Sequence, residues 1–223
     1  MLGIVGGTSL LFSEWPDLAE QRIFTPYGPA NLLCGEVVVL LRHQRGLPPH
    51  RINFRANMAA LALCGVDRVI AIGSVGSLTP NLPPGFILIP TDYVNTGAIP
   101  SIHDHAIVHI RPEINPELSQ RLACIVPEAH LGGVYVQSQG PRIETVAEVK
   151  MLSRIGDVVG MTMASEATLA KELDMAFAGI CNVDNYAHGL GGEVLTYEHI
   201  LSTARQHRDR TAEIIGRIRG EFG

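Results

Sequence analysis

The sequence predicts one α/β domain, because short apolar segments alternate with helix-forming segments along its 223 residues. Residues 157–187 show this pattern most clearly. Residues 158–161 and 177–183 are short apolar runs, and residues 164–173 between them contain strong helix formers. A strand, a helix and a strand in so few residues predict a βαβ unit with parallel strands.

The other elements continue this alternation. A proline-containing loop leads into a helix that Gly65 closes, and residues 93–116 are polar and proline-bearing, which predicts an excursion from the sheet. Residues 188–194 are rich in glycine and are a candidate lid. The predicted strands are residues 2–5, 37–41, 69–72, 86–90 and 132–138, and the predicted helices are residues 58–65, 144–156 and one amphipathic helix from residue 195 onward.

The composition is that of a soluble globular enzyme, with 46% hydrophobic and 17% charged residues. The net charge of −5 gives no electrostatic reason to expect a nucleic-acid partner. The four cysteines are scattered without a C-x-x-C pair, and the N-terminus lacks a basic leader. No apolar run is long enough to span a membrane. We therefore expect reduced thiols, a cytoplasmic location and no membrane partner.

A His-x-His pair, His103 and His105, raises the question of zinc. A zinc site needs four ligands, and no cysteine or second close ligand set accompanies this pair. We therefore expect these histidines to face solvent or substrate, and we expect no metal site.

Small and polar residues follow several of the predicted strands. Thr8 follows a glycine pair after the first strand, Arg42 and His43 follow another strand directly, and Ser74 and Thr162 follow two more. Ligands collect at the carboxyl ends of strands in α/β sheets, so we expect these residues to share an anion site. The glycine pair is neither a Walker loop nor a dinucleotide fingerprint. Each segment could also be an ordinary turn, and Arg42 could form a surface salt bridge.

Several longer motifs resemble one known family over nearly the whole chain and in the same order. The motifs are GGTSL (6–10), RH (42–43), PPHRINFRAN (48–57), GSVGSL (73–78), QGPRIETVAE (139–148), GMTMASEATLAKEL (160–173) and NVDNYA (182–187). They resemble the trimeric purine nucleoside phosphorylase and methylthioadenosine phosphorylase family. In detail they are most similar to the branch that acts on S-methyl-5′-thioinosine and other 6-oxopurine nucleosides.

The resemblance implies a mixed central β-sheet flanked by helices, and a homotrimer or a dimer of trimers. It also implies phosphorolysis, in which inorganic phosphate attacks C1′ of a nucleoside and releases a purine and ribose 1-phosphate or its methylthio analogue. Phosphate is then a co-substrate, and no cofactor is expected. The positions that match the phosphate-binding residues are Thr8, Arg42, His43, Ser74 and Thr162, and His43 joins Glu144 and Asn185 as a catalytic position.

Two matching positions determine which base is bound. Asn185 stands where 6-oxopurine enzymes carry Asn and aminopurine enzymes carry Asp, and Glu144 matches the Glu of the 6-oxopurine enzymes. Hypoxanthine can donate its N1–H to Glu144 and accept at N7 or O6 from Asn185. The resemblance therefore implies a preference for 6-oxopurines. The other matching positions are Met161 under the ribose, Ile143 where an aromatic ring often stacks on the purine, and Tyr186 and Ala187 beside Asn185.

The 5′ end of the substrate has two interpretations. Ile200 and Leu201 would line an apolar pocket for a methylthio group, and His109 matches a histidine that reaches the 5′ region of a neighbouring subunit. Tyr197 stands where thionucleoside enzymes usually have a small aliphatic residue, and its hydroxyl could bond a 5′-hydroxyl instead. The sequence leaves both substrates open.

Two other functions also stay open, a methylthioadenosine phosphorylase with unusual base contacts and a catalytically weak nucleoside-binding protein. Ser9 replaces a usual glycine of the family. Asn182 and Asp184 could contact the base or satisfy the backbone, and we expect Glu166 to be a structural acid at a helix start rather than a catalyst.

Overall fold

A mixed β-sheet with helices on both faces forms the protein in the computed structural model, which describes residues 1–44, 46–192 and 196–223. The side chains of Tyr197, His199 and Ile200 lie outside that description. The strands are β1 (Leu2–Gly6), β2 (Ala19–Thr25), β3 (Gly28–Cys34), β4 (Val38–Leu41), β5 (Arg68–Ser77), β6 (Ile87–Ile89), β7 (Asp92–Asn95), β8 (His130–Leu131), β9 (Val134–Gln137), β10 (Val158–Gly160) and β11 (Ala176–Tyr186). The α-helices are α1 (Phe54–Leu63), α2 (Pro116–Ile125), α3 (Val146–Leu152), α4 (Met163–Glu172), α5 (Tyr197–Gln206) and α6 (Arg208–Phe222).

Strand β5 is the centre of the sheet. One edge of β5 pairs along its whole length with β11, in parallel. The other edge pairs first with β1, in parallel, and then with β10, antiparallel at Gly76 and Ser77. The strand order from the outer edge is β2-β3-β4-β1-β5-β10-β9-β7, and β11 continues to β6 and β8. The predicted α/β class and mixed central sheet are therefore confirmed.

The predicted parallel βαβ unit of residues 157–187 is wrong in its strand direction. The strand, helix and strand all exist as β10, α4 and β11. However, β10 runs antiparallel to β5, whereas β11 runs parallel to it. The two strands also pair with opposite edges of β5, so they are not neighbours in the sheet. The apolar character of a short strand predicts its burial but carries no information about its direction or its neighbours.

Several element boundaries differ from the sequence prediction. Strand β5 extends past Gly73 to Ser77, because parallel pairing with β11 holds both glycines of this segment in the sheet. Strand β11 extends to Tyr186, past the predicted apolar run of residues 177–183, so Asn185 lies within the strand. Helix α1 begins at Phe54, where the Asn53 side chain accepts a hydrogen bond from Ala56 N at 3.0 Å.

The C-terminal segment forms two helices rather than the single predicted helix, with His207 between α5 and α6. The sequence analysis also missed the hairpin of β2 and β3, the strand β7 and the helix α2. In the part of the chain that the structure describes, every helix is too short or too polar to reach across a bilayer.

The two faces of the sheet hold separate apolar clusters. Cys181 and Val183 of β11 pack in the cluster that contains residues of α1 and α4, whereas Ile180 packs in the cluster that contains residues of α2 and α6. Side chains alternate between faces along a strand, so Asn182 and Asp184 extend the α6 face beyond its apolar part. Polar side chains are thus buried at the carboxyl end of β11.

Tyr135 of β9 holds the start of helix α4. Its side chain is 1% exposed, and its hydroxyl accepts hydrogen bonds from Thr162 N at 3.1 Å and Met163 N at 3.2 Å. Burial raises the pKa of Tyr135 far above its usual value, so the hydroxyl stays protonated. Gly160 leaves room for this ring, because a Cβ there would lie 2.5 Å from the Tyr135 hydroxyl.

Replacing Tyr135 with phenylalanine should destabilise the protein by about 1–3 kcal/mol, because two buried backbone N–H groups lose their acceptor. Urea denaturation of the Tyr135→Phe protein measures the loss. Tyr186→Phe is the matched control, since the Tyr186 hydroxyl makes only a 3.5 Å exposed contact with Pro80 O and should matter by less than about 0.5 kcal/mol. Equal losses in the two variants would contradict this role of Tyr135.

Candidate active site

Arg42, directly after β4, is 2% exposed and forms a buried bidentate ion pair with Glu166. Arg42 Nε lies 2.7 Å from Glu166 Oε1, and Arg42 Nη2 lies 2.9 Å from Glu166 Oε2. Arg42 Nη1 donates to Ile72 O at 3.0 Å. The alternative of a surface salt bridge for Arg42 is therefore wrong, and its ion pair connects β4, β5 and α4.

Glu166 lies in the first turn of α4, where it has the structural role that the sequence predicted. Burial raises its pKa, and the Arg42 guanidinium opposes that shift. Glu166 N also donates to Thr162 O at 3.3 Å. The ion pair therefore joins Arg42 to a residue one helical turn after Thr162. Thr162 is buried, and its side chain makes no capping bond to α4.

The glycine loop after β1 lies against Arg42 and His43. A Cβ at Gly7 would lie 2.8 Å from His43 Nε2 and 3.3 Å from Arg42 Nη1. An arginine has more N–H donors than the hydrogen bonds described above use, and Nη1 faces this loop. A residue with a side chain at Gly7 would fill the space between the Arg42 and His43 side chains.

His43 is oriented by its own loop. Its Nδ1 lies 2.8 Å from Leu47 O, which leaves Nε2 directed toward Gly7. Burial, aided by the neighbouring Arg42, lowers the pKa of His43, and the bond to Leu47 O opposes the shift. The ring is thus neutral near pH 7, with Nδ1–H donating to Leu47 O and an unprotonated Nε2 at the glycine loop.

Thr8 and Ser74 are the other two predicted phosphate residues on β1 and β5 or directly after them. Thr8 begins a short 3-10 helix, Thr8–Leu10, directly after the glycine loop. Its neighbour Ser9 lies 3.1 Å from Ser74, hydroxyl oxygen to hydroxyl oxygen. The structure thus brings Arg42 and His43 to Gly7, whereas Ser74 lies within β5 and contacts the neighbour of Thr8.

The predicted base and ribose contacts form an adjacent group around Glu144. Glu144 is 7% exposed, and its carboxylate accepts a short hydrogen bond from the Ser138 hydroxyl. Met161 packs on the same loop, because a Cβ at Gly140 would lie 2.5 Å from Met161 Sδ. Ile143, next to Glu144, is half-buried.

Asn185 lies across β5 from the end of β10. A Cβ at Gly76 would lie 3.3 Å from Asn185 Nδ2 and 3.4 Å from Val159 Cγ1. Asn185 Nδ2 donates to Tyr186 O at 2.8 Å. His188 Nδ1 lies 2.9 Å from Glu144 O, so the end of β11 is bonded to the Glu144 segment.

A cavity of about 610 Å³ opens beside the end of β11. Three predicted substrate residues, Asn185, Tyr186 and Ala187, line it. The rest of its wall is formed by Pro84, Gly85, Asp184, His188, Leu190, Gly191, Gly192, Thr203, Gln206 and His207. Its volume falls in the range of small-molecule sites.

Four other predicted substrate residues do not line this cavity, namely Met161, Ile143, Glu144 and His109. His109 is exposed on the excursion between β7 and α2. The predicted roles of Tyr197 and Ile200 concern side chains outside the described residues. Leu201 is half-buried on α5.

The sequence analysis missed the cavity residues of α5 and His207, and it left Asp184 open. Asp184 is 6% exposed, and burial raises its pKa to about 6, while a hydrogen bond with Ser74 and the charge of Arg210 oppose the shift. Among the described residues, no group of three or more His, Cys, Asp or Glu side chains is arranged to hold a metal ion.

Comparison with known proteins identifies the family. The family model described as the phosphorylase superfamily matches residues 1–218. The chain belongs to the phosphorylase superfamily. Among curated members of this superfamily, a probable 6-oxopurine nucleoside phosphorylase from Archaeoglobus fulgidus is 37% identical, with 96% of this chain and 94% of that protein aligned. A probable S-methyl-5′-thioinosine phosphorylase from Methanocaldococcus jannaschii is also 37% identical, with 96% and 90% aligned.

A solved structure of the superfamily shares the fold. It is a methylthioadenosine phosphorylase from an antarctic soil metagenomic library, with a TM-score of 0.85 and 25% identity over 100% of this chain and 87% of the other. The predicted resemblance to nucleoside phosphorylases is thus confirmed. The two curated relatives have equal identity and different substrates in their names, so similarity alone does not choose between those substrates.

Replacing Glu166 with glutamine should lower the free energy of unfolding by about 3–5 kcal/mol, because the buried Arg42 charge loses its counter-charge. Added phosphate should restore part of this loss if the anion binds beside Arg42. Urea denaturation with and without phosphate measures both effects.

The matched control is Asp104→Asn, which removes the acid of the exposed Arg55–Asp104 pair and should cost less than about 1 kcal/mol at any phosphate concentration. If Glu166→Gln lowers the free energy of unfolding no more than Asp104→Asn does, the buried pair contributes little to stability.

Proposed function

We propose that this protein catalyses the phosphorolysis of 6-oxopurine nucleosides, with S-methyl-5′-thioinosine, inosine and guanosine as candidate substrates. The observation that carries the proposal is a buried carboxylate, Glu144, which is held by Ser138 at the end of β9 and whose backbone is bonded to His188 just beyond Asn185. The curated relatives named as 6-oxopurine and S-methyl-5′-thioinosine phosphorylases support it. The enzyme would then act in purine or methylthionucleoside salvage.

In the proposed reaction, a phosphate oxygen forms a bond to C1′ while the C1′–N9 bond breaks and its electron pair passes to the purine. Phosphate would be held by Thr8, Ser74 and Thr162 hydroxyls and by Arg42 Nη1. His43 Nε2 would bind it when protonated. Since phosphate is itself the nucleophile, we propose that no cofactor is needed. Catalysis would come from placing phosphate under C1′ and stabilising charge on the leaving base.

Glu144 and Asn185 would read the base. The Ser138 hydroxyl already donates to one oxygen of Glu144, so the other oxygen can accept the N1–H of hypoxanthine or guanine. Adenine has no proton at N1 and would face the carboxylate with two lone pairs opposed. Such a mismatch costs about 1–3 kcal/mol, or roughly tenfold to hundredfold in efficiency.

A methylthioadenosine phosphorylase is the second candidate, because the solved neighbour has that activity in its description. Glu144 and Asn185 argue against it for the reason just given. We also propose that His109 acts from a second copy of the chain in a homotrimer, since one chain leaves it exposed and away from the cavity. A cytoplasmic location fits this salvage role.

An assay panel tests the proposed function directly. Inosine, guanosine and S-methyl-5′-thioinosine should release their base only with phosphate, at least tenfold more efficiently than adenosine and methylthioadenosine. Purified protein is assayed with and without phosphate by chromatography of the free base. Preferred cleavage of methylthioadenosine would favour the second candidate, and nucleoside binding without phosphate-dependent release would identify a non-catalytic binding protein.

Replacing the two proposed base-binding residues together tests their role in base selection. The double variant Asn185→Asp with Glu144→Ser should raise the ratio of methylthioadenosine to methylthioinosine efficiency by tenfold or more, because the carboxylate that opposes adenine N1 is removed. The matched control is Glu113→Ser, which removes an exposed acid and should leave the ratio unchanged. An unchanged ratio in the double variant would exclude Glu144 and Asn185 as the residues that select the base.

A further inference from the structure

The side chain of Gln44 closes the turn that follows β4. The antiparallel register of β3 and β4 places Asn31 opposite Leu41, but the backbone ladder between these strands stops at Val39. The Gln44 carboxamide occupies the place of the missing partner, because its Oε1 accepts from Asn31 N at 2.8 Å and its Nε2 donates to Asn31 O at 3.2 Å. A carboxamide has the donor and the acceptor of a peptide group, so this side chain continues the ladder where the backbone has left it.

The same side chain is also bonded to its own strand. Gln44 Nε2 donates to Leu41 O at 3.2 Å, and Gln44 N donates to the same oxygen at 2.8 Å. Both Nε2 hydrogens and the Oε1 atom are thereby in use. The Gln44 side chain is therefore fixed between β3 and the end of β4.

The backbone of Gln44 adopts a conformation that is uncommon for a residue with a side chain. Its φ angle is 49°, in the left-handed region. In the part of the chain that the structure describes, Asp174 is the one other non-glycine residue with a positive φ. Such conformations persist where the surroundings enforce them, and they cluster at functional sites. At Gln44 the three side-chain bonds enforce the turn.

The residue that this turn orients is His43. The His43 carbonyl oxygen accepts from Gly46 N at 3.0 Å and from Leu47 N at 2.8 Å, and His43 Nδ1 lies 2.8 Å from Leu47 O. Leu47 thus holds both the backbone and the ring of His43, and the turn at Gln44 sets the path of the chain between them. As a result Nε2 is directed at the glycine loop, where a Cβ at Gly7 would lie 2.8 Å away.

We propose that Gln44 is a positioning residue for His43, whose carboxamide fixes the left-handed turn and thereby keeps His43 Nε2 aimed at the anion site. Gln44 acts through His43 and makes no bond to the anion. The inference rests on the proposed function for the anion, whereas the orientation of the His43 ring can be measured without one. It differs from a purely structural role, because the loss of Gln44 should weaken anion binding only where His43 is present.

Nitrogen NMR of the histidine side chains tests the orientation of the ring in the protein without an anion. At about pH 8 the His43 ring is neutral, because burial lowers its pKa. The wild type should show His43 as the Nδ1–H tautomer with a slowly exchanging proton, since Leu47 O accepts that proton. Gln44→Met keeps the length of the side chain but removes its hydrogen bonds, and it should shift His43 toward the Nε2–H tautomer with faster exchange.

The His43→Phe protein identifies the His43 signal in these spectra by its absence. An unchanged tautomer and exchange rate of His43 in the Gln44→Met or Gln44→Ala protein would overturn the inference.

Sulfate binding tests whether this orientation affects the anion site, because sulfate is a dianion and needs no turnover. Calorimetry at about pH 6 should give a dissociation constant about tenfold larger for Gln44→Met than for the wild type, the worth of one hydrogen bond to a charged group. Gln44→Ala should show the same loss, so the test remains decisive if one of the two variants folds poorly. The matched control is Gln21→Met, which replaces an exposed glutamine of β2 and should bind sulfate like the wild type.

A double-mutant cycle shows whether Gln44 acts through His43. In the His43→Phe background, adding Gln44→Met should change the sulfate dissociation constant by less than about twofold, because the positioned residue is already absent. An equal loss in both backgrounds would assign Gln44 a general structural role and overturn the inference, while leaving the proposed function intact. A wild type that binds no sulfate, or a His43→Phe protein that binds it as tightly as the wild type, would overturn both the proposed phosphate contact of His43 and the inference.

Discussion

The buried ion pair between Arg42 and Glu166 is the interaction on which the site depends. It joins the end of β4 to the first turn of α4 and, through Ile72 O, to β5. An apolar pair of similar volume could give comparable stability, because desolvation offsets much of the attraction within a buried ion pair. What an apolar pair could not provide is a guanidinium edge fixed beside a glycine loop.

Strand β5 explains why the site forms although the predicted parallel βαβ unit does not exist. The sequence predicted that polar side chains follow the strands, and Thr8, Arg42 and Thr162 do lie just after β1, β4 and β10. It could not predict that β10 and β11 approach β5 from opposite edges and in opposite directions. Gly76 is the point where both reach β5, since the side chains of Val159 and Asn185 lie on either side of it. Convergence on one central strand replaces the predicted pairing.

The residues that sequence reasoning missed share a physical cause. The contacts of Tyr135, Asp184 and His207 come from long-range packing. Tyr135 of β9 bonds the start of α4, and Asp184 of β11 lies beside His207 in the break between α5 and α6. No periodicity or motif marks such positions, because each looks like an ordinary member of its strand or helix. By contrast, Glu144 and Asn185 could be proposed because family resemblance carries information about position that local pattern does not.

The charges of the proposed phosphate site lead to a constraint on how it can bind an anion. Arg42 is neutralised by Glu166, and the lowered pKa of His43 leaves that ring uncharged in the free protein. A dianion therefore enters a site with little net positive charge and must be held by directed hydrogen bonds and by protons taken up on binding. Affinity in this arrangement depends on the positions of the hydroxyl hydrogens and on the proton taken up by His43.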